Sequence, residues 1–158
     1  MPSLMPGVPG AKEVYGISII REDLSLKIPP AACERYKLTN ETAVVLTTTH
    51  RGESGFALLN KCRGETTVFK KYIDRLGEFN TVYWFSDKAY VMVPFENGKI
   101  NITSDMMSAF HLNIGDKLLV IKGAAVAMSF TPIDIWKDKF LKRGLQEAID
   151  NMDKLEAF

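Results

Sequence analysis

Residues able to carry out chemistry are few in this chain and lie far apart. The histidines are His50 and His111, and the cysteines are Cys33 and Cys62. Neither cysteine belongs to a Cys-x-x-Cys pair, and no histidine is close enough in sequence to complete a metal site. Neither histidine stands beside a nucleophile, and no nucleophile elbow, Walker loop, zincin or dinucleotide-binding motif occurs. We therefore predict a protein that is not an enzyme and has no cofactor or bound metal.

The charge balance gives little indication of a polyanionic partner. The 158 residues include 20 basic and 19 acidic side chains, for a net charge of +1. Nucleic-acid-binding proteins usually carry a basic excess, so this balance argues weakly against that role, although a local patch can lie on a neutral protein. No apolar run is long enough for a membrane span, and no secretory signal is visible. We expect a cytoplasmic protein whose two thiols are free.

The elements that position these residues form an internal repeat. Residues 24–48 and residues 98–122 align without a gap at an offset of 74, which is 98 minus 24. Leu26 aligns with Ile100, and the order of apolar, turn and polar positions is kept throughout. A repeat of this kind implies two copies of one supersecondary unit, and therefore a pseudo-symmetric domain.

Each copy has the same predicted order of elements: strand, strand, short helix, strand, strand, helix. Pro30 is suited to open the first short helix, and Thr103 or Ser104 to cap the second. We predict a helix over residues 66–76 at the end of the first copy and one long helix over residues 133–155 at the end of the second.

The domain organisation follows from this repeat. We predict an α+β protein in which residues 1–13 form a flexible tail, residues 14–78 the first unit and residues 79–158 the second unit. Neither unit alone is large enough to bury much apolar surface. The two units are therefore expected to share a core, as one pseudo-symmetric domain over residues 14–158.

Two segments of the second copy resemble the AbrB/SpoVT-type swapped-hairpin domain. They are residues 98–103 (GKINIT) and residues 112–118 (LNIGDKL), and the first copy keeps the Ile28-Pro29 pair that closes the family's first strand. Two tandem copies, each followed by a helix, are similar to the MraZ-type arrangement. The resemblance implies two tandem swapped-hairpin β-barrel units in a DNA-binding transcription regulator that acts as an oligomer.

In this family, basic residues on the loop after the first strand and on nearby strands face DNA. The residues that the resemblance places there are Arg21, Lys27, Arg35, Lys37 and Lys99. The alternative is that these side chains are only the solvated faces of amphipathic elements. The resemblance identifies no small-molecule effector.

The chain departs from the MraZ-type pattern at one signature. Such proteins carry Asp-x-x-x-Arg before the Ile-Pro strand, whereas the first copy has Arg21 and Ser25 there and the second has Phe95 and Lys99. Lysine does not replace arginine in bidentate recognition, so contact with phosphates is expected rather than base recognition. The departure also supports a second hypothesis, a non-catalytic structural or protein-partner module that keeps the fold but has lost the DNA surface.

Two apolar features have alternative interpretations. The run Tyr83-Trp84-Phe85 is either an exposed binding platform or a strand whose alternate rings fill the core, with one ring at a subunit contact. The terminal helix carries more apolar side chains than one small domain requires, and Gly144 is a candidate kink within it. Its distal half is predicted to contact another chain or, alternatively, to pack on its own domain. The residues assigned to that oligomerisation role are Leu145, Ile149, Met152 and Leu155.

Overall fold

A computed structural model describes residues 13–49, 53–123 and 126–158. These residues form nine strands and six helices. The α+β class is confirmed. The strands are β1 (Val14–Ile19), β2 (Ser25–Lys27), β3 (Ala43–Thr47), β4 (Phe56–Asn60), β5 (Tyr83–Phe85), β6 (Lys88–Pro94), β7 (Lys99–Asn101), β8 (Lys117–Lys122) and β9 (Ala127–Pro132). The helices are α1 (Pro30–Arg35), α2 (Lys61–Gly64), α3 (Lys70–Ile73), α4 (Ser104–Ala109), α5 (Ile133–Lys142) and α6 (Gln146–Met152).

The two short helices begin where their sequences predict. Pro30 is the first residue of α1, where its missing N–H costs nothing. The Thr103 hydroxyl oxygen accepts a hydrogen bond from the Met106 N–H at 3.2 Å and caps α4. Of the predicted tail over residues 1–13, residues 1–12 lie outside the described residues, and the Glu13 carbonyl accepts a backbone hydrogen bond from the Lys122 N–H at 3.0 Å.

The predicted helix over residues 66–76 is wrong. Within it only the single turn α3 is helical, and the other single turn, α2, ends at Gly64, before the predicted start. Between them, the Thr67 hydroxyl donates to the Gly64 carbonyl at 2.6 Å and accepts from the Phe69 N–H at 3.2 Å. Threonine side chains that bond to nearby backbone groups compete with helix formation, and this explains the break.

The single long helix predicted for residues 133–155 is also wrong. Helices α5 and α6 are separate elements, and Gly144 lies between them with a left-handed φ of +69°. The Leu145 N–H then donates to the Phe140 carbonyl at 2.9 Å, as in a helix end closed by glycine. The candidate kink is therefore a complete break. No helix among the described residues is both long enough and apolar enough to span a membrane.

The strands form one seven-stranded sheet and one two-stranded ribbon. The sheet order is β1-β8-β9-β4-β3-β6-β5, and all neighbouring strands are antiparallel. The closed barrel implied by the resemblance is not found in the described part of the chain. At one end, the backbone of residues 156–158 covers the edge of β1, with the Phe158 N–H donating to the Ile17 carbonyl at 2.7 Å. At the other end, β5 is the last strand.

The second sheet, which we call the β2–β7 ribbon, pairs residues 25–27 with residues 99–101. Its register places Leu26 directly opposite Ile100, the residue with which it aligns in the sequence repeat. The flanking backbone bonds repeat as well. The Ile28 N–H donates to the Gly98 carbonyl at 2.8 Å, and the Ile102 N–H donates to the Leu24 carbonyl at 2.7 Å.

The large sheet joins the two halves of the chain by exchange of strands. Strand β1, from the first half, pairs with β8, and β6, from the second half, pairs with β3. At the centre, β4 and β9 pair with each other, with Ala57 opposite Ser129. The strand order is therefore palindromic about the β4–β9 pair, and β5 is an addition at one end.

Three apolar clusters hold these layers together. The largest lies between the sheet and the short helices, and its fully buried rings include Tyr36 and Phe110, which align in the repeat. A second cluster packs α5 and α6 against β1 and β8. A third packs the α2–α3 segment against β3, β4 and β6. Alternate residues of β3 face opposite clusters, so both faces of the sheet are covered.

We expect Leu26→Ala and Ile100→Ala each to lower the free energy of unfolding by about 2–5 kcal/mol, because both side chains are buried. Since they lie opposite each other, a double-mutant cycle measured by chemical denaturation should show a coupling of about 0.5–3 kcal/mol. Val68→Ala is the control: Val68 is 79% exposed, and its loss should change stability by less than about 0.5 kcal/mol. Strict additivity of the two core substitutions would contradict the pairing.

Candidate nucleic-acid interface

The β2–β7 ribbon presents two lysines side by side. Lys27 lies directly opposite Lys99 in the ladder, so the two side chains leave the same face of the ribbon. That face points away from the core because the neighbouring Leu26 and Ile100 are buried. Like charges placed directly opposite each other in a sheet are destabilising. The pair is therefore a site at which a bound anion would relieve repulsion.

Acidic groups lie close to this lysine pair. The Asp23 carboxylate accepts hydrogen bonds from the Ser25 hydroxyl at 2.6 Å and the Ser25 N–H at 3.0 Å. These bonds, with a smaller contribution from the charge of Lys99, lower the pKa of Asp23. Glu96 lines a small groove of about 170 Å³ together with Lys99. The ribbon therefore combines two cations with carboxylates at its margin.

The remaining predicted DNA contacts are exposed but are not bonded to this pair. Arg21 lies in the turn after β1, and its N–H donates to the Ser25 carbonyl at 3.1 Å. Arg35 is in the last turn of α1, with its guanidinium carbon 5.8 Å from the centre of the Tyr36 ring. Lys37 follows α1 in a left-handed conformation. Within the described residues, none of these three forms an ion pair or a side-chain hydrogen bond to the ribbon.

The predicted oligomerisation residues pack within their own chain. Met152 is 1% exposed in the cluster between α5–α6 and the sheet. Leu145, Ile149 and Leu155 are partly buried against the same cluster. Leu141 differs, because it is 65% exposed at the end of α5. Whether the four residues also contact a second chain stays a prediction.

The two thiols have different environments. Cys33 is half-buried within α1, its Sγ donates to the Ile28 carbonyl at 3.6 Å, and burial raises its pKa to about 11. Cys62 is exposed. Across the described ranges, no three His, Cys, Asp or Glu side chains come together as metal ligands. Neither His111 nor the thiols form a constellation with an evident reaction.

One charged cluster was not predicted from the sequence. The Lys71 ammonium lies 4.9 Å from the centre of the Tyr72 ring, and the Arg75 guanidinium carbon lies 5.3 Å from the centre of the Phe85 ring. Lys88 is opposite Phe85 in the β5–β6 ladder. The aromatic run at residues 83–85 is visible in the sequence, but nothing in the spacing indicates that Arg75, just after α3, would lie over its Phe85 ring.

Comparisons with protein-family models, with curated proteins and with solved structures found no match. What the chain does must therefore be inferred from its repeat and from the geometry of the described residues. The features suited to bind a charged ligand are the lysine pair on the β2–β7 ribbon and the cations around the rings near β5.

We expect Cys62 to react with a thiol reagent at pH 8 at least about ten times faster than Cys33, because a thiolate is required and the Cys33 thiol is half-buried with a raised pKa. Labelling kinetics of Cys62→Ser and Cys33→Ser, each with one thiol left, measure the two rates separately. Equal rates would show that the region around Cys33 opens readily to solvent.

Proposed function

We propose that the chain consists of two tandem AbrB-like swapped-hairpin units in an MraZ-like arrangement, and that it is a cytoplasmic, non-catalytic DNA-binding transcription regulator. Two sets of strand pairings support the tandem units. In the β2–β7 ribbon the repeat-aligned Leu26 and Ile100 lie opposite each other. In the large sheet β1 pairs with β8 of the second half, and β6 pairs with β3 of the first half. Strand exchange of this kind is the defining feature of a swapped hairpin.

The observation that carries the proposed DNA contact is the Lys27–Lys99 pair. Both ammonium groups leave the solvent face of the β2–β7 ribbon, and neither has an ion-pair partner within 4.0 Å among the described residues. Lysine contributes a point charge, which suits phosphate oxygens better than base edges. The pair would therefore fix the position of a duplex without selecting its sequence.

The lysine pair is also one-sided with respect to the repeat. The repeat aligns Lys27 with Asn101 and Ser25 with Lys99, so the lysines pair on one side of Leu26–Ile100 and the two uncharged residues pair on the other. Two half-sites of a palindrome would then meet different charges. We infer that a single chain engages duplex DNA asymmetrically.

We expect Lys27→Ala combined with Lys99→Ala to weaken binding to random-sequence duplex DNA and to reduce the slope of log affinity against log salt by about 1.8, since each phosphate contact contributes about 0.9. A salt titration followed by fluorescence anisotropy measures both quantities. The control is Lys142→Ala combined with Lys154→Ala, because both lysines are exposed near α5 and α6. An unchanged slope in the ribbon variant would reject this surface.

We expect Asn101→Lys to strengthen duplex binding and to increase the salt slope by about 0.9, because it adds a cation at the exposed position that aligns with Lys27. Asn101→Gln, which adds length without charge, is the matched control and should leave the slope unchanged. If the lysine variant behaves as the glutamine variant does, this side of the ribbon does not approach DNA.

A structural or protein-partner module is the second candidate. Asp23 and Glu96 lie beside Lys99, so the ribbon is not a face of a single sign. An interspersed surface favours protein contacts over a polyanion. Absence of duplex binding even at low salt, with a folded protein, would favour this candidate.

Self-association remains part of the proposal. The residues assigned to it are Leu145, Ile149, Met152 and Leu155, which also pack against the cluster beside β1 and β8 of their own chain. A second chain would meet the partly exposed members of this set together with the exposed Leu141 at the end of α5. Deleting the helices would now expose the apolar cluster beneath them, so Leu141→Ser with the solution mass as readout is the cleaner test.

A further inference from the structure

One face of the edge strand β5 carries cations arranged around aromatic rings. Lys71 and Arg75 lie over the rings of Tyr72 and Phe85, at 4.9 and 5.3 Å from the ring centres. Lys88 leaves the same face, because it is opposite Phe85 in the ladder. The three positive charges therefore converge on one small area of the outer surface.

The rings beneath these cations are held firmly. Tyr72 stacks on Tyr90 with the ring centres 5.0 Å apart, and Phe85 contacts both rings at 5.3 and 5.5 Å. Tyr90 is 3% exposed and belongs to the apolar cluster below α2 and α3. A cation resting on such a ring loses conformational freedom in advance of binding, which lowers the entropic cost of capturing an anion.

The charges of this cluster are not neutralised locally. Asp74, which is next to Arg75 in sequence, is bound to Lys70 at 2.8 Å, and Asp87, which is next to Lys88, forms no ion pair with it. Within the described residues, Lys71, Arg75 and Lys88 have no carboxylate within 4.0 Å. The N–H groups of an arginine match phosphate oxygens in geometry, so the cluster is suited to a phosphate-bearing ligand.

The opposite face of β5 presents an exposed ring. Trp84 alternates with Phe85 along the strand and is 57% exposed, and nearby Phe79 is 49% exposed. Trp84 lines an open groove of about 460 Å³ together with Ser108 and Asp105 of α4. No strand of the described chain pairs with the outer edge of β5, so both faces can be reached from one side.

We propose that this region, the β5 edge (Lys71, Arg75, Trp84 and Lys88), binds single-stranded nucleic acid. The cations would neutralise successive phosphates, and an unpaired base would stack on the indole of Trp84. Cationic grooves with exposed aromatic rings are the usual means of binding single strands without sequence preference. A duplex keeps its bases stacked inside and cannot use the Trp84 ring. The site is independent of duplex binding by the β2–β7 ribbon.

The test uses the full chain and a twelve-residue oligothymidylate at low salt, with tryptophan fluorescence and anisotropy as readouts. Binding should quench the emission, and Trp84→Phe should remove most of that quenching, since the other tryptophan, Trp136, lies on α5 and packs against the apolar cluster beside β1 and β8. Trp84→Ala should weaken binding about 5- to 150-fold, the loss expected for one base–aromatic stack. Lys71→Gln with Arg75→Gln should lower the salt slope by about 1.4, at about 0.7 for each phosphate of a single strand.

The matched control is Lys142→Gln with Arg143→Gln, which removes two exposed cations from the other trailing helix and should leave oligothymidylate binding unchanged. Circular dichroism checks that every variant is folded.

Absence of oligothymidylate binding, or equal binding by wild type and all β5-edge variants, would overturn the proposal. An acidic peptide that binds through the same cations without quenching Trp84, in place of oligothymidylate, would overturn it too. Oligothymidylate binding that survives Lys27→Ala with Lys99→Ala would support it, even if duplex DNA does not bind at all.

Discussion

The fold depends on antiparallel pairing between matching strands of the two halves of the chain. Leu26 meets Ile100 in the β2–β7 ribbon, and Ala57 meets Ser129 at the centre of the large sheet. A shift in register by one residue would turn the buried face of either strand to solvent, so the apolar pattern holds the register of each pairing. With these two pairings in place, β1 completes its ladder against β8, and β6 completes its ladder against β3.

Because both halves belong to one chain, their strands can pair without a second molecule. A half alone would expose the edges of β3 and β4, and exposed edges invite pairing with other chains. Linkage within one polypeptide gives the second half a high effective concentration, so the exchange closes internally. The C-terminal segment and the residues near Phe79 add backbone bridges at the two ends of the large sheet. Ala157 bridges to Ile17 at one edge and Phe79 bridges to Met92 at the other, both in parallel.

The sequence predicted those parts of the fold that depend on local pattern. The α+β class and the cap at Thr103 both follow from apolar periodicity and the types of a few residues. The continuous helices predicted for residues 66–76 and 133–155 do not form. Hydroxyl bonding at Thr67 and the left-handed backbone at Gly144 override the helical periodicity around them. The sequence also did not predict the cations near β5: Arg75 and Phe85 are ten residues apart and belong to different elements, so their contact is a tertiary property.

The two halves share a backbone plan but not a surface, and the physical reason lies in burial. Aligned core positions such as Tyr36 and Phe110 are both about 1% exposed, so packing restricts them to large apolar rings. Solvent-facing positions carry no such restriction. The segment over residues 61–76 has five basic and two acidic residues, whereas residues 133–152 have four of each. The first of these segments places the Arg75 guanidinium over the Phe85 ring of the edge strand β5. The two halves therefore combine similar buried positions with chemically different outer faces, and the excess of positive charge over residues 61–76 distinguishes the surface near β5 from the surface around α5 and α6.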